Sequence, residues 1–230
     1  MVGEGTMAAA RLLPAMKFNA LTDVKPIIVA GFGTLLLLSG KDTGVKDVAG
    51  LVAKAKAGPL NYGSPGIGQT QHLRMEILKN RAQFPMTHIP YKGSAPALAA
   101  LLNGEVAAAL TPLHQVTSHL ASGSVTPLAV LAENRDPRAP DVPTLKELGV
   151  AGLDSRMWYS FVTPAKAPQE IVDLLQAEIK KVLEDPVAKK QLEATGLVIE
   201  PTTSARALEI MQNEAAIIDD IIARAKITME

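Results

Sequence analysis

Short apolar strands alternate with helices of roughly ten residues along most of this chain, and this alternation constrains the fold more than any other feature. Asp47 is a typical N-cap for one of the helices, and Gly58 ends it. Strands joined by single helices form parallel βαβ units, so the sequence predicts an α/β fold with parallel-rich sheets. Strands are predicted at residues 60–64, 86–91, 106–110 and 126–132, and helices at 48–57, 68–81, 94–103 and 113–122.

The most apolar run of the chain, Pro26 to Leu38, contains 13 residues, including two glycines. A membrane-spanning helix needs about 20 apolar residues, so this run predicts two consecutive buried strands instead. The segment from Met1 to Ala15 lacks the ordered pattern of a secretion signal. Taken alone, that start favours a cytosolic protein.

The last third of the chain begins with a strand at residues 156–162, after a loop rich in Pro and Asp at 135–143. Pro168 then fits the first turn of a long amphipathic helix. The apolar stripe of this helix is expected to face a core, and its members are Ile171, Leu174, Leu175, Ile179 and Val182.

Charge and cysteine content exclude several classes of function. Lys+Arg and Asp+Glu are equal at 23 each, and no basic stripe indicates a nucleic-acid partner. The absence of Cys excludes disulfides, thiolate zinc sites and cysteine nucleophiles. The four histidines, His72, His88, His114 and His119, are too widely spaced to predict a metal site, and we predict no cofactor.

The segment from Asn61 to His72 is the richest candidate binding site, because it joins a strand to a helix where free N–H groups and the positive helix end bind anions. Its glycine spacing is neither the dinucleotide fingerprint nor the P-loop, and Gly63 directly before Ser64 argues against a nucleophile elbow. A plain tight turn between strand and helix is the alternative. The candidate ligand contacts are Ser64, Gly66, Gly68, Gln69 and Thr70.

Two further predicted strands also lead directly into a helix, one at His88–Ser94 and the other at Ala109–Pro112. In a parallel sheet the carboxyl ends of such strands share the edge where open α/β sheets bind ligands. Lys92 lies in the first of these ends and either neutralises an anionic ligand or is simply solvated.

Several of these segments together resemble the Bug-type receptors of tripartite tricarboxylate transporters. The resemblance implies a two-lobe fold like that of type II periplasmic binding proteins. Lobe one, with the hinge strands, would comprise residues 1–38 and 156–230, and lobe two residues 39–155. The matching segments are Tyr62–Gly68 with His72-Leu73, His88–Ala97, Asp141–Thr144, Trp158 and Thr163–Ala165.

The resemblance also implies a function, which is capture of a small carboxylate (a dicarboxylate, a tricarboxylate or an aromatic acid) in a cleft between the lobes. Delivery would be to the membrane subunits of the transporter, the location would be periplasmic, and no reaction would be catalysed. Gly5 and Thr6 take the place of a family segment that lines the cleft. Thr111 stands where the family commonly has Asp, so the charge that favours an amino group is missing.

Compared with the family, the signal peptide and the first βαβ segment of lobe one have no counterpart before Met1. We therefore expect an incomplete lobe one with exposed strand edges that favour self-association. Three alternatives stay open: a ligand sensor for a membrane signalling partner, an inactive truncated fragment, and a hydrolase that uses Ser64. The hydrolase would need a base within hydrogen-bond reach of the Ser64 hydroxyl.

Overall fold

The chain forms two units, one of which is contiguous in sequence. The computed structural model describes residues 2–12, 17–150, 153 and 156–225. The first unit consists of Met1–Gly33 and Met157–Glu230, and the second of Thr34–Arg156. The predicted lobes placed residues 34–38 and 156 with the first unit instead. Residue 155, the predicted end of lobe two, lies outside the described residues.

Helices and strands alternate through most of the chain, in close agreement with the predicted pattern. In chain order they are β1 (Val2–Gly3), α1 (Glu4–Leu12), β2 (Val24–Gly33), β3 (Leu35–Gly40), a 3-10 turn (Lys41–Thr43), α2 (Val48–Ala57), β4 (Asn61–Ser64), α3 (Thr70–Ala82), β5 (Thr87–Pro90), α4 (Ser94–Leu102), β6 (Ala108–Pro112), α5 (Leu113–Ala121), β7 (Val125–Leu131), β8 (Met157–Pro164), α6 (Gln169–Glu184), α7 (Pro186–Ala194), β9 (Leu197–Val198) and α8 (Ser204–Ala225).

Local signals in the sequence explain where several of these elements begin and end. The Asp47 carboxylate accepts a hydrogen bond of 2.7 Å from the Gly50 N–H, as predicted for the cap of α2, and Gly58 ends that helix. The apolar run from Pro26 to Leu38 divides into β2 and β3, which confirms the prediction of two strands. Among the described residues, no helix is both long enough and apolar enough to cross a membrane.

The sheet of the first unit has the strand order β1-β8-β2-β9, and all of its pairings are antiparallel. The expectation of parallel-rich sheets is therefore wrong for this unit. The prediction rested on short helical connections, which join parallel strands. β2 and β8 are instead separated in sequence by the whole second unit, and a connection of that length allows either strand direction.

One core cluster of the first unit lies where β2 packs against α6, and here the predicted stripe of α6 is wrong. Val172 and Leu183 are buried against Ile28, whereas Leu174 and Val182 are 57% and 60% exposed. Ile171 and Leu175 are also exposed, and Ile179 is partly buried. One residue of offset rotates a helix face by about 100°, and α6 carries apolar residues on both faces, so spacing alone could not identify the buried one.

The sheet of the second unit has the order β5-β4-β6-β3-β7. β4 runs parallel to both β5 and β6, and β3 runs antiparallel to β6 and β7. The core packs side chains of β3, such as Leu36 and Leu38, against Leu101 of α4 and Val116 of α5. Because β4, β5 and β6 are parallel, their carboxyl ends share one edge of the sheet, as the sequence predicted.

Candidate functional site

Three helices begin at the shared carboxyl edge of β4, β5 and β6 in the second unit. α3 follows β4, α4 follows β5 and α5 follows β6. In the described part of the chain, their N-cap residues Gln69, Gly93 and Pro112 make no side-chain cap hydrogen bond. The first-turn N–H groups of three helices are thus left without a side-chain acceptor from their own caps. Such helix ends carry partial positive charge and favour anions.

The loop between β4 and α3 uses several of its own N–H groups internally. The Gly66 N–H donates to Ser64 Oγ at 3.2 Å, and the Gln69 N–H donates to the Gly66 carbonyl at 3.3 Å. The Gly68 N–H donates to His72 Nδ1 at 3.1 Å. Three N–H groups of the predicted segment, those of Gly66, Gly68 and Gln69, are thus engaged within the loop and the start of α3.

Gly66 and Gly68 adopt backbone conformations that disfavour other residues, with φ of +146° and +74°. A Cβ at Gly66 would make only ordinary contacts, 3.6 Å from the Tyr91 carbonyl oxygen and 3.7 Å from Gln69 Cγ. The requirement for glycine at Gly66 therefore comes from the backbone angle of the loop, together with any ligand that approaches it.

A stack of three aromatic side chains lies beside this loop. The ring centroids of His72 and His88 are 3.9 Å apart, and those of Tyr62 and His88 are 5.0 Å apart. Parallel register brings Tyr62 of β4 opposite His88 of β5, while His72 reaches the stack from α3. Ser64 Oγ lies 2.6 Å from His88 Nε2, which ties the stack to the end of β4.

The surroundings of the stack keep both imidazoles neutral at neutral pH. Burial lowers the pKa of His72 to about 4, with the Lys79 ammonium adding to the effect and Glu76 opposing it. Burial, with the His72 ring and Lys79, lowers the pKa of His88 to about 3. Glu76 accepts hydrogen bonds from the Tyr62 hydroxyl at 2.5 Å and from Lys79 Nζ at 2.6 Å.

The Ser64–His88 contact supplies the base that a hydrolase would need, but its setting does not suit a nucleophile. Ser64 is fully buried, and its hydroxyl also contacts both the N–H and the carbonyl of Gly66. A nucleophilic hydroxyl must reach a substrate carbonyl. This arrangement instead holds the loop after β4 in place.

The structure brings most of the predicted contact residues together. Ser64, Gly66, Gly68, Gln69 and Thr70 lie in one loop and helix start. Thr111 is buried on β6, next to β4 in the sheet. Gly5 and Thr6 lie in α1 of the first unit and are partly exposed.

A polar cluster around Asp136 was not anticipated from the sequence, which indicated only a surface loop. The Asp136 carboxylate accepts hydrogen bonds from Thr34 Oγ1 at 2.6 Å and from Arg138 Nη2 at 2.7 Å. Burial alone would raise the pKa of this carboxyl, but the hydrogen bonds from Arg138 and Thr34 lower it to about 2. The Thr34 carbonyl in turn accepts the Leu113 N–H at 2.9 Å, so the cluster holds the start of α5.

Comparison with protein families and curated proteins gives a consistent result. The profile described as "Tripartite tricarboxylate transporter family receptor" matches residues 1–227. Protein BugT of Bordetella pertussis is 30% identical over 187 residues, which are 80% of this chain and 57% of BugT. A UPF0065 protein of Cupriavidus necator is 35% identical over 181 residues, 77% of this chain and 54% of that protein. The chain thus spans about half the length of these curated relatives.

Solved structures of similar fold cover nearly the whole chain. The Rhodopseudomonas palustris protein Rpa4515 with adipate has a TM-score of 0.85 and 30% identity, covering 99% of this chain and 77% of that one. MatC of the same organism with bound malate has a TM-score of 0.81 and 25% identity, covering 96% of this chain and 77% of that one. These similarities confirm the predicted α/β binding-protein fold.

Proposed function

This chain belongs to the family of tripartite tricarboxylate transporter receptors, and on that basis we propose that it binds a small carboxylate reversibly and delivers it to the membrane subunits of such a transporter. The adipate and malate of two similar structures support a dicarboxylate as the first class of ligand to test. The periplasmic location is proposed from the same family membership.

The observation that carries the ligand class is the edge at which three helices begin without side-chain caps. A carboxylate there would accept hydrogen bonds from backbone N–H groups, and a hydrogen bond to a charged group contributes about 1.5–3 kcal/mol. We assign the closest contact to the start of α3, beside Gly66 and Thr70. Thr111 on the adjacent strand offers a hydroxyl, which suits a plain carboxylate better than an ammonium group.

The test is a thermal-shift titration of this chain with adipate, malate, citrate and benzoate. A ligand that binds only the folded state raises the melting temperature, and at one hundred times its dissociation constant it adds about 2.7 kcal/mol of stability. Adipamide, which has the same shape as adipate without charge, serves as the uncharged control. A carboxylate should raise the melting temperature and adipamide should not.

A pair of glycine variants locates the site. Gly66→Val should abolish the thermal shift because the side chain occupies the loop and its φ of +146° disfavours valine. Gly123→Val places valine at another glycine of positive φ, +67°, just after α5, and should leave the shift intact. Equal thermal shifts in both variants would show that the carboxylate does not bind at this loop.

The two rival functions make different predictions. A hydrolase using Ser64 and His88 would turn over p-nitrophenyl acetate, and a Ser64→Ala variant would lose that activity. We expect no turnover above the uncatalysed rate. A ligand sensor would bind the same carboxylates, so it is separated by whether the gene lies beside genes for the two membrane subunits of a tripartite transporter.

A further inference from the structure

The imidazole of His72 is the acceptor of a backbone hydrogen bond, and this fixes its protonation state. The Gly68 N–H donates to His72 Nδ1 at 3.1 Å, and both groups are buried. A nitrogen that accepts a hydrogen bond carries no proton, so His72 is the neutral tautomer with its proton on Nε2. This hydrogen bond therefore links the first turn of α3 to the loop that precedes the helix.

A second tether holds the same loop four residues earlier. The Ser64 hydroxyl lies 2.6 Å from Nε2 of His88, whose ring stacks on His72 at 3.9 Å. The loop between Ser64 and Gly68 is thus fastened at both ends to one pair of stacked rings. Neither imidazole has a role in the proposed ligand contacts themselves.

We propose that His72 is a positioning residue for carboxylate binding, because its unprotonated Nδ1 holds the Gly68 amide and thereby sets the direction of the first-turn N–H groups of α3. The inference rests on the proposed function, in which these N–H groups receive the ligand. Without the His72 acceptor, the Gly68 N–H would be free to turn and the start of α3 would lose its fixed geometry.

Charges around the stack support this role. The titratable groups recorded against the two rings in the described part of the chain include Tyr62 from β4 and Glu76 and Lys79 from α3 itself. Helix α4 and strand β6 contribute none, since neither sequence contains a titratable side chain. Burial lowers the pKa of His72 to about 4. A proton on Nδ1 would make this nitrogen a donor that faces the Gly68 N–H donor. The hydrogen bond therefore requires the neutral ring with an unprotonated Nδ1.

Two substitutions of His72 separate positioning from general packing. Asparagine places its Oδ1 near the location of Nδ1 and restores the acceptor, whereas glutamine reaches toward the location of Nε2. With adipate as the probe, His72→Gln should weaken binding roughly 3- to 10-fold, the equivalent of one hydrogen bond, and His72→Asn should bind within about 2-fold of wild type. Equal weakening in both variants, or in neither, would overturn the proposal.

A ligand-free measurement keeps this inference distinct from the proposed function. Long-range ¹H–¹⁵N spectra of the unliganded wild-type chain should show His72 with a bare Nδ1 at pH 7, and Gly68 amide exchange should be faster in His72→Gln than in His72→Asn. A protonated Nδ1, or equal exchange in the two variants, contradicts the positioning role. Absence of binding by any carboxylate, with these spectra as expected, contradicts the proposed function instead.

Discussion

Buried polar side chains fasten the loops at the carboxyl edge of the second unit. His72 holds Gly68, Ser64 contacts Gly66 and His88, and Asp136 holds Thr34. Each of these groups has a hydrogen-bond partner, as burial of a polar group requires. A loop held in this way keeps its shape before a ligand arrives, and preorganisation lowers the entropic cost of binding.

Asp136→Asn is expected to destabilise the second unit in a pH-dependent way. The folded-state pKa of Asp136, about 2, lies below its ordinary value of 3.8. The carboxylate therefore adds stability above about pH 4, and this contribution is lost as the pH falls from 4 towards 2. Urea unfolding at pH 7 should show a loss of roughly 2 kcal/mol in the variant, and the gap from wild type should shrink at pH 3.

Asp141→Asn is the matched control for Asp136, because Asp141 is an exposed aspartate in the same loop. It should change the free energy of unfolding by less than about 0.5 kcal/mol. If the difference in free energy of unfolding between wild type and Asp136→Asn stays constant between pH 7 and pH 3, the charge of this carboxyl is not what stabilises the cluster.

Thr111→Asp is expected to shift selectivity towards amino acids. A carboxylate can pair with an ammonium group, and a charge-assisted hydrogen bond is worth about 1.5–3 kcal/mol, or roughly 10- to 100-fold in affinity. Calorimetric titration with glutamate and glutarate measures the ratio of the two affinities. Thr111→Asn, of similar size and without charge, should leave the ratio unchanged. A wild-type chain that already prefers glutamate would contradict this account of Thr111.

The loop and its candidate residues could be predicted from the sequence, but the buried polar side chains that hold the loop by hydrogen bonds could not. The position of a glycine-containing segment between a strand and a helix singled out Ser64, Gly66, Gly68, Gln69 and Thr70 as candidates. The contact between His72 and His88 depends on the register of β4 with β5 and on the rotation of α3, neither of which is visible in chain spacing. The sequence showed only that Tyr62 and His88 lie in two neighbouring predicted strands.

Helix α6 has two apolar faces, and only one of them packs in the described structure. Val172 and Leu183 contact the β2 region, while Leu174 and Val182 face outward. Four apolar side chains of α6 are exposed in total: Ile171, Leu174, Leu175 and Val182.

Two valines on α6 test which face stabilises the first unit. Val172 is fully buried, and Val182 is 60% exposed. Val172→Ala should lower the free energy of unfolding by about 1–3 kcal/mol through lost burial and a cavity, whereas Val182→Ala should change it by less than about 0.5 kcal/mol. Urea unfolding of both variants gives the comparison. The reverse order of effects would show that the outward face packs in solution.

The number, order and type of most elements followed from the sequence, because hydrophobic periodicity and cap residues act over short distances. Asp47, Gly58 and the division of Pro26–Leu38 into two strands are examples. Strand pairing in the first unit did not follow, because β2 pairs with β8 across the whole second unit. No local pattern encodes the direction in which so distant a strand returns.

The second unit is contiguous and has its own sheet and core, so over the whole molecule it is the part most able to fold alone. An isolated fragment of residues 34–156 is expected to unfold cooperatively in urea. In limited proteolysis of the intact chain, the same residues are expected to survive as a resistant piece. Intact mass after digestion identifies the surviving piece. A fragment without a cooperative transition, or digestion that starts between residues 34 and 150, would contradict this independence.

The pairing of β2 with β8 also has a consequence for the order of folding. Gly33 and Met157 are register partners at one end of the ladder, so the two strands amount to a hairpin whose turn is an entire unit. A long flexible connection is costly in entropy to close, and contacts far apart in sequence form slowly. If residues 34–156 collapse first, their compact form brings the two strands within reach of each other. We therefore expect the antiparallel sheet to form in the late, slow phase of refolding, and newly synthesised β2 to wait unpaired until the ribosome has released β8.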